Sequence, residues 1–365
     1  MADWFTLAAP LPDQEAAAAA RARQAILTKP TGSLGQLEEV AIQLAACQKT
    51  ETPQINTPHI LIFAADHGIV AEGVSLFPQE VTGQMMANFV AGGAAISVLA
   101  RESGAHLSII DVGSILEEPL DRVVTDKVTR GSANFRRQDA LSATDLSHAL
   151  AAGQRAVERA LTAKTDLLIL GEMGIGNTSA ATAIAAALTQ TAPAQITGAG
   201  TGINPAGLSH KRQVLEESLV FPGLAADPQK APPEPLEVLR KVGGHDLAAL
   251  TGAYIAAAQN QMPVLVDGFI CTAAALAAVR LNPSCRPWMI FTHQSAEQGH
   301  GHILGELEAR PLLNIGLRLG EGSGAAVALP LIRLACSLHN KMATFEDAGV
   351  SDKTRASKEQ SNDTA

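Results

Sequence analysis

Five short apolar runs limit what this chain can fold into: 59–64 (HILIFA), 107–110 (LSII), 167–170 (LLIL), 263–266 (PVLV) and 288–292 (WMIFT). The runs are continuous instead of alternating apolar with polar, and longer Ala-rich helical stretches separate them. A strand with one wet face alternates, whereas a continuous run needs cover on both faces, as helices give to a parallel sheet. The expected fold class is therefore α/β, a mostly parallel sheet with helices on both faces. A further short strand is expected to end near Ile196.

Each run leads into polar or glycine-rich residues: 65–68 (ADHG), 111–113 (DVG), 171–177 (GEMGIGN), 267–268 (DG) and 293–297 (HQSAE), with a separate glycine cluster at 198–202 (GAGTG). In an open α/β sheet such segments gather at the carboxyl edge, where ligands bind. Helices are expected over 13–27 and 35–47, with Lys29-Pro30-Thr31-Gly32-Ser33 between them. After Ser323 a C-terminal helical region contains Pro330, which should kink it or mark a restart. The expected organisation is a small helical lobe from 1–40 and 325–350, a large α/β lobe from 41–324 carrying the active site, and a solvated, disordered tail at 351–365.

The formal net charge of −9 and the 3% aromatic content argue against nucleic acid, which calls for a basic footprint and stacking rings. Cys47, Cys271, Cys285 and Cys336 lie far apart with no CxxC pair, and no secretory segment is recognisable, so reduced thiols and a cytoplasmic location are expected. No uninterrupted apolar stretch approaches the roughly 20 residues needed to cross a bilayer, so no membrane insertion is expected.

The turn GEMGIGNTSAAT (171–182) places Asn177 and Thr178 at the start of an Ala-rich helix, whose free N–H groups suit a phosphate. It is neither a Walker A motif nor a complete GxGxxG, and a plain strand-to-helix turn reads the same way. The second cluster, GAGTG, is followed by Lys211, a cation in reach of a phosphate or simply a solvated helix residue. His293, His300 and His302 near Glu297 invite a metal reading, but none has a familiar zinc spacing. Asp66, Asp111 and Asp267 suit Mg²⁺ held through a substrate phosphate, or else cap turns at the sheet edge. In RLGEGSGAA (318–326), one carboxylate, Glu321, stands among glycines, an arrangement ill suited to cradling an anion.

Taken together, LTKPTGSLGQLE (27–38), ADHGIVAEGVSLFPQEVTGQM (65–85), GEMGIGNTSAAT, GAGTGI (198–203), RLGEGSGAA and MATFEDAGVS (342–351) resemble the nicotinate-nucleotide–dimethylbenzimidazole phosphoribosyltransferase family, in the family's order. The resemblance implies a Rossmann-like large lobe with a small helical one, usually as a homodimer, and transfer of 5-phosphoribosyl from nicotinate mononucleotide to 5,6-dimethylbenzimidazole. It implies Glu321 as general base. It places phosphate and ribose near Gly174, Gly176, Asn177, Thr178, Gly202, Lys211 and Ser295, and the base near Pro78, Gln79, Met85 and Leu319. GGHDLAA (243–249) departs from the family, carrying His245-Asp246 where an aromatic and a glutamate are expected.

The chemistry of that reaction asks for few groups. The donor's pyridinium ring leaves with the bond electrons and becomes neutral, so its departure needs no general acid. The attacking benzimidazole must lose one proton, so one base is needed, and a single displacement inverts C1′ to give the α-nucleotide. An oxocarbenium-like centre favours a second carboxylate, for which Glu172 is the candidate. No cofactor and no metal are required. Two other readings fit parts of the sequence: a metal-dependent phosphohydrolase or nucleosidase using Asp66, Asp111 and Asp267, and a nucleotide-sensing binding module.

Overall fold

A computed structural model describes residues 3–351 apart from 199, 201 and 228. The expected tail, beyond residue 351, lies outside the described residues. The chain divides into two compact units, Met1–Leu11 with Asn56–Ala328, and Pro12–Ile55 with Leu329–Ala365. The first begins and ends elsewhere than the 41–324 read from the sequence.

The first unit is built on six parallel strands: β1 Pro58–Ala65, β2 His106–Gly113, β3 Val123–Thr125, β4 Leu167–Met173, β5 Val264–Val266 and β6 Met289–Phe291. Their order across the sheet is β3-β2-β1-β4-β5-β6. This is the doubly wound order, and the direction of winding reverses between β1 and β4, where ligands of such sheets bind. All eight residues of β1 are buried, which accounts for its unbroken apolar sequence. The helix His245–Gln259 is buried along almost its whole length and packs on β1, β2 and β4 and on the helix Ala143–Thr162. Gly153 and Gly252 stand where the last two helices touch, and a Cβ on either would meet the other helix's backbone within 2.1 Å.

Three local expectations are corrected. The residues before Ile196 form a helical turn, Pro193–Ile196, with proline at its first position, where the missing N–H costs nothing. The sixth strand is instead β3, only three residues long and largely exposed, at the sheet edge. Of the two outcomes expected at Pro330, the restart does not occur: the helix runs from Ser323 to Lys341. A proline removes one ladder bond, and buried Ala328, Leu329 and Ile332 hold the turns on either side of it. The stretch Glu80–Ser103 is apolar and long enough to cross a membrane, but Gly92, in the left-handed region, separates helices Glu80–Ala91 and Ala95–Ser103.

In the second unit, helices Gln14–Ile26 and Gln36–Gln48 share a small core of Ala17, Ala20, Ile42, Ala45 and Ala46. The turn between them is tied by a buried Lys29–Glu38 pair at 2.8 Å, with Glu38 also accepting the Gly32 and Leu34 N–H groups.

Candidate active site

At the carboxyl edge of the sheet lies a cavity of about 450 Å³, entirely within the first unit. Its acidic wall carries Glu172 from β4, Asp267 from the end of β5, and Glu321. Gly174, Asn177, Thr178, Gly200, His293, Ser295 and Glu297 continue the lining, and Phe77, Val81, Met85 and Leu319 give it an apolar side.

Glu321 owes its place to backbone geometry. Residues 320, 321 and 322 all have positive φ, at 94°, 62° and 76°. Glycine occupies that region freely, so two of the three positions cost little, and the strain falls on Glu321 alone. The turn also passes so close to β4 that a Cβ on Gly171 would stand 2.6 Å from the Glu321 carbonyl carbon and the Gly322 nitrogen. The sequence GEG, with a glycine opposite on β4, therefore presses one carboxylate into the cavity. Glu321 accepts the Ile96 N–H at 3.4 Å, and burial raises its pKa above the usual carboxylate value, with Asp267 adding to the rise.

Glu172 is held by Asn177, whose amide donates to Oε2, and it has no cationic partner among the described residues. Burial first, then the neighbouring carboxylates Asp246, Asp267 and Glu321, push its pKa up to about 8. Asp267 accepts the Ala325 N–H at 2.9 Å and so caps the helix Ser323–Lys341, with His293 Nδ1 3.7 Å away; burial raises its pKa too. The His300 tautomer follows from its partners: Nδ1 accepts the Ser295 N–H at 2.7 Å, so Nε2 carries the proton and donates to Thr272 Oγ1 at 2.9 Å.

Another part of the lining carries a helix N-terminus and a hydroxyl, with a buried lysine beside them. Gly176, at φ 97°, caps the helix Asn177–Thr189, so the helix opens directly on the cavity at Asn177 and Thr178. Lys211, on the helix Pro205–Val220, is 2% exposed and has no ion pair within 4 Å among the described residues. A Cβ on Gly200 would lie 3.0 Å from Thr178 Oγ1 and 3.2 Å from Lys211 Nζ, so hydroxyl and ammonium flank the same point of the lining. Burial lowers the Lys211 pKa to about 8, against a raising influence from Glu297.

The cavity lining thus brings together Glu321, Glu172, Gly174, Asn177, Thr178, Ser295, Met85 and Leu319. Gly176 and Lys211 stand just behind the lining. Gly202 is exposed and outside it. Pro78 is exposed and Gln79 donates to the His67 carbonyl at 3.0 Å, so neither reaches the cavity, while their neighbours Phe77 and Val81 do. Phe77, Val81 and Arg318 were not singled out from sequence; all three lie within or beside motifs that were. Asp267, His293 and Glu297 were noticed for metal chemistry and stand in the lining without forming, among the described residues, a group of three His, Cys, Asp or Glu able to hold a metal. Asp66 and Asp111 point elsewhere: Asp66 accepts the Ile115 N–H at 2.8 Å, and Asp111 accepts Lys127 Nζ and Ser114 Oγ, each at 2.7 Å. The set needed by a three-aspartate metal site is therefore not assembled.

The fold and the position of the cavity define an α/β protein of the doubly wound, Rossmann type with a small-molecule site at its carboxyl edge. Residues 9–350 match a family model described as phosphoribosyltransferase. The nicotinate-nucleotide–dimethylbenzimidazole phosphoribosyltransferase of Bradyrhizobium diazoefficiens is 55% identical over 335 residues, 92% of this chain and 94% of that one. The protein of the same name from Azotobacter vinelandii is 54% identical over 355 residues, 97% and 99% of the two chains. A crystal structure of CobT from Thermus thermophilus superposes with a TM-score of 0.86 at 43% identity, covering 92% of this chain and 99% of that one. The chain belongs to this phosphoribosyltransferase family and is a phosphoribosyltransferase.

Proposed function

We propose that the protein transfers 5-phosphoribosyl from nicotinate mononucleotide to 5,6-dimethylbenzimidazole, releasing nicotinate and α-ribazole 5′-phosphate, with Glu321 as general base. The observation that carries the reading is one cavity whose lining joins a helix N-terminus, with buried Lys211 beside it, to the carboxylates of Glu172, Asp267 and Glu321, of which Glu172 and Glu321 have no ion pair among the described residues. A nucleotide with a phosphate and a pyridinium nitrogen at C1′ offers a charge for each of these groups, and the relatives carry its name.

In this reading the phosphate sits against Thr178, Lys211 and the first turn of the helix Asn177–Thr189, and anchors the ribose for reaction. The pyridinium end faces the acids. Glu172, protonated near neutrality in the empty site, loses its proton more readily once the cationic ring is beside it. Its carboxylate then stabilises positive charge developing at C1′. Benzimidazole lies along Phe77, Val81, Met85 and Leu319 and attacks C1′ through one ring nitrogen. The C–N bond to nicotinate breaks with its electron pair on the pyridine nitrogen. The other azole N–H becomes strongly acidic as the new bond forms, and Glu321 takes that proton. The raised pKa of Glu321 makes it a better base than an exposed glutamate. Attack and departure on opposite faces invert C1′.

The test is direct. The purified protein is mixed with nicotinate mononucleotide and dimethylbenzimidazole, and products are followed by NMR and mass. Equal amounts of nicotinate and the α-anomer are expected. The β-anomer would remove the single displacement, and no product at all would remove the activity. The reading includes a homodimer, for which sedimentation should give twice the chain mass.

A further inference from the structure

Behind Glu172 lies a buried chain of polar groups that the reaction as written does not use. Asp246, at the start of the helix His245–Gln259, is wholly buried, as is His67, which follows β1. His67 Nε2 stands 3.0 Å from Asp246 Oδ1 without the alignment of a hydrogen bond, and Oδ1 accepts the Leu247 N–H at 2.8 Å. The other carboxylate oxygen, Oδ2, is 3.4 Å from the Asn177 amide nitrogen, the same nitrogen that donates to Glu172 Oε2. An amide NH₂ has two hydrogens, and here each faces a carboxylate; the amide oxygen in that place would meet two repulsions.

We infer that Asp246, backed by His67, is a positioning residue for Glu172: it takes up one hydrogen of the Asn177 amide, so that the other holds Glu172 Oε2. The second oxygen of Glu172, Oε1, is thereby left beside Gly320, where a Cβ would stand 2.5 Å from it, at the edge of the cavity. The room for His67 comes from missing side chains: a Cβ on Gly244 would lie 2.2 Å from its Cε1, and one on Gly174 would lie 3.3 Å from Nε2. The arrangement has a second consequence. Asp246 is, after burial itself, the largest cause of the raised Glu172 pKa, so it tunes when Glu172 ionises as well as where it points. Asp267 from the end of β5 and Glu321 from the glycine turn also face Glu172, and both act in the same direction.

The role of Glu172 in turnover rests on the transferase reading, but its titration does not, which allows the two to be tested apart. In full-length protein labelled with ¹³C at the glutamate side-chain carboxyl, the Glu172 resonance is assigned by its loss in Glu172→Gln and followed against pH. A midpoint at about 8 is expected. Asp246→Asn and the smaller Asp246→Ser should each lower it by about one unit, whereas Asp246→Glu should keep it. The pH dependence of kcat/KM should move with the carboxyl, with a change of less than about threefold in KM for the nucleotide and a larger fall in kcat. A Glu172 midpoint that stays put in both charge-removing variants, or falls equally in Asp246→Glu, overturns the inference. A midpoint that moves as stated in a protein that forms no product leaves the inference standing and removes the transferase reading.

Discussion

Asp111 and Glu172 stand near the carboxyl ends of β2 and β4, the two strands that flank β1, and their surroundings are opposite. Asp111 receives an ammonium, a hydroxyl and a backbone N–H from Lys127 and Ser114. Glu172 receives one amide hydrogen and faces three more carboxylates. A buried acid with its charge fully matched braces a loop, whereas one left unmatched is held at an energetic cost that folding alone does not explain. Of these two acids, the matched Asp111 lies away from the cavity and the unmatched Glu172 lines it. Residue type and strand-end position do not separate them; partners do.

That contrast can be broken at several points. The largest expected effect is at Glu321: Glu321→Gln should lower kcat by roughly a hundred- to ten-thousandfold, the range for a lost general base, with little change in donor affinity. Next, Lys211→Met should raise KM for the nucleotide roughly 10- to 100-fold, the value of one charge-assisted hydrogen bond, with a smaller effect on kcat. The pH dependence follows from the same residue. Lys211 is charged below its pKa of about 8, so KM should rise as pH climbs through that value, and Lys211→Arg should flatten the rise.

A smaller effect concerns stability. The Glu172 pKa is raised on folding, so the native state holds a proton that the unfolded chain releases, and stability drops as pH rises from the ordinary carboxylate value toward about 8. Glu172→Gln should remove that slope and raise the melting temperature at pH 8 by about 2–5 °C, while slowing turnover. Asp111→Asn should do the reverse, costing about 2–4 kcal/mol of stability by removing the counter-charge of Lys127, which keeps only the Ser114 and Leu116 oxygens, and leaving the rate per folded molecule unchanged. Equal behaviour of the Glu172 and Asp111 variants would erase the distinction between the two sites.

Much of this was legible in the sequence because buried parallel strands must be continuously apolar, and five such runs announced β1, β2, β4, β5 and β6. β3 escaped because three residues at an exposed edge carry no such signal. The glycine turns at 171–177 and 318–324 were also readable, since positive φ and close backbone approach restrict residue choice. What sequence could not show was neutralisation. Asp66, Asp111 and Asp267 looked equivalent as strand-end acids, and only the fold brings Lys127 to the second and opens the cavity at the third. The Asp246–His67 pair escaped for the same reason, joining a helix start to a strand end far away in the chain.

The proposed transfer depends most on Glu321 as the group that takes the proton. The most direct test is single-turnover formation of α-ribazole 5′-phosphate by wild-type protein and by Glu321→Gln, with nicotinate mononucleotide binding measured alongside. With Glu321 as the base, product formation by the variant should be at least about a hundredfold slower at unchanged donor affinity. Product formed at the wild-type rate by Glu321→Gln would contradict that role.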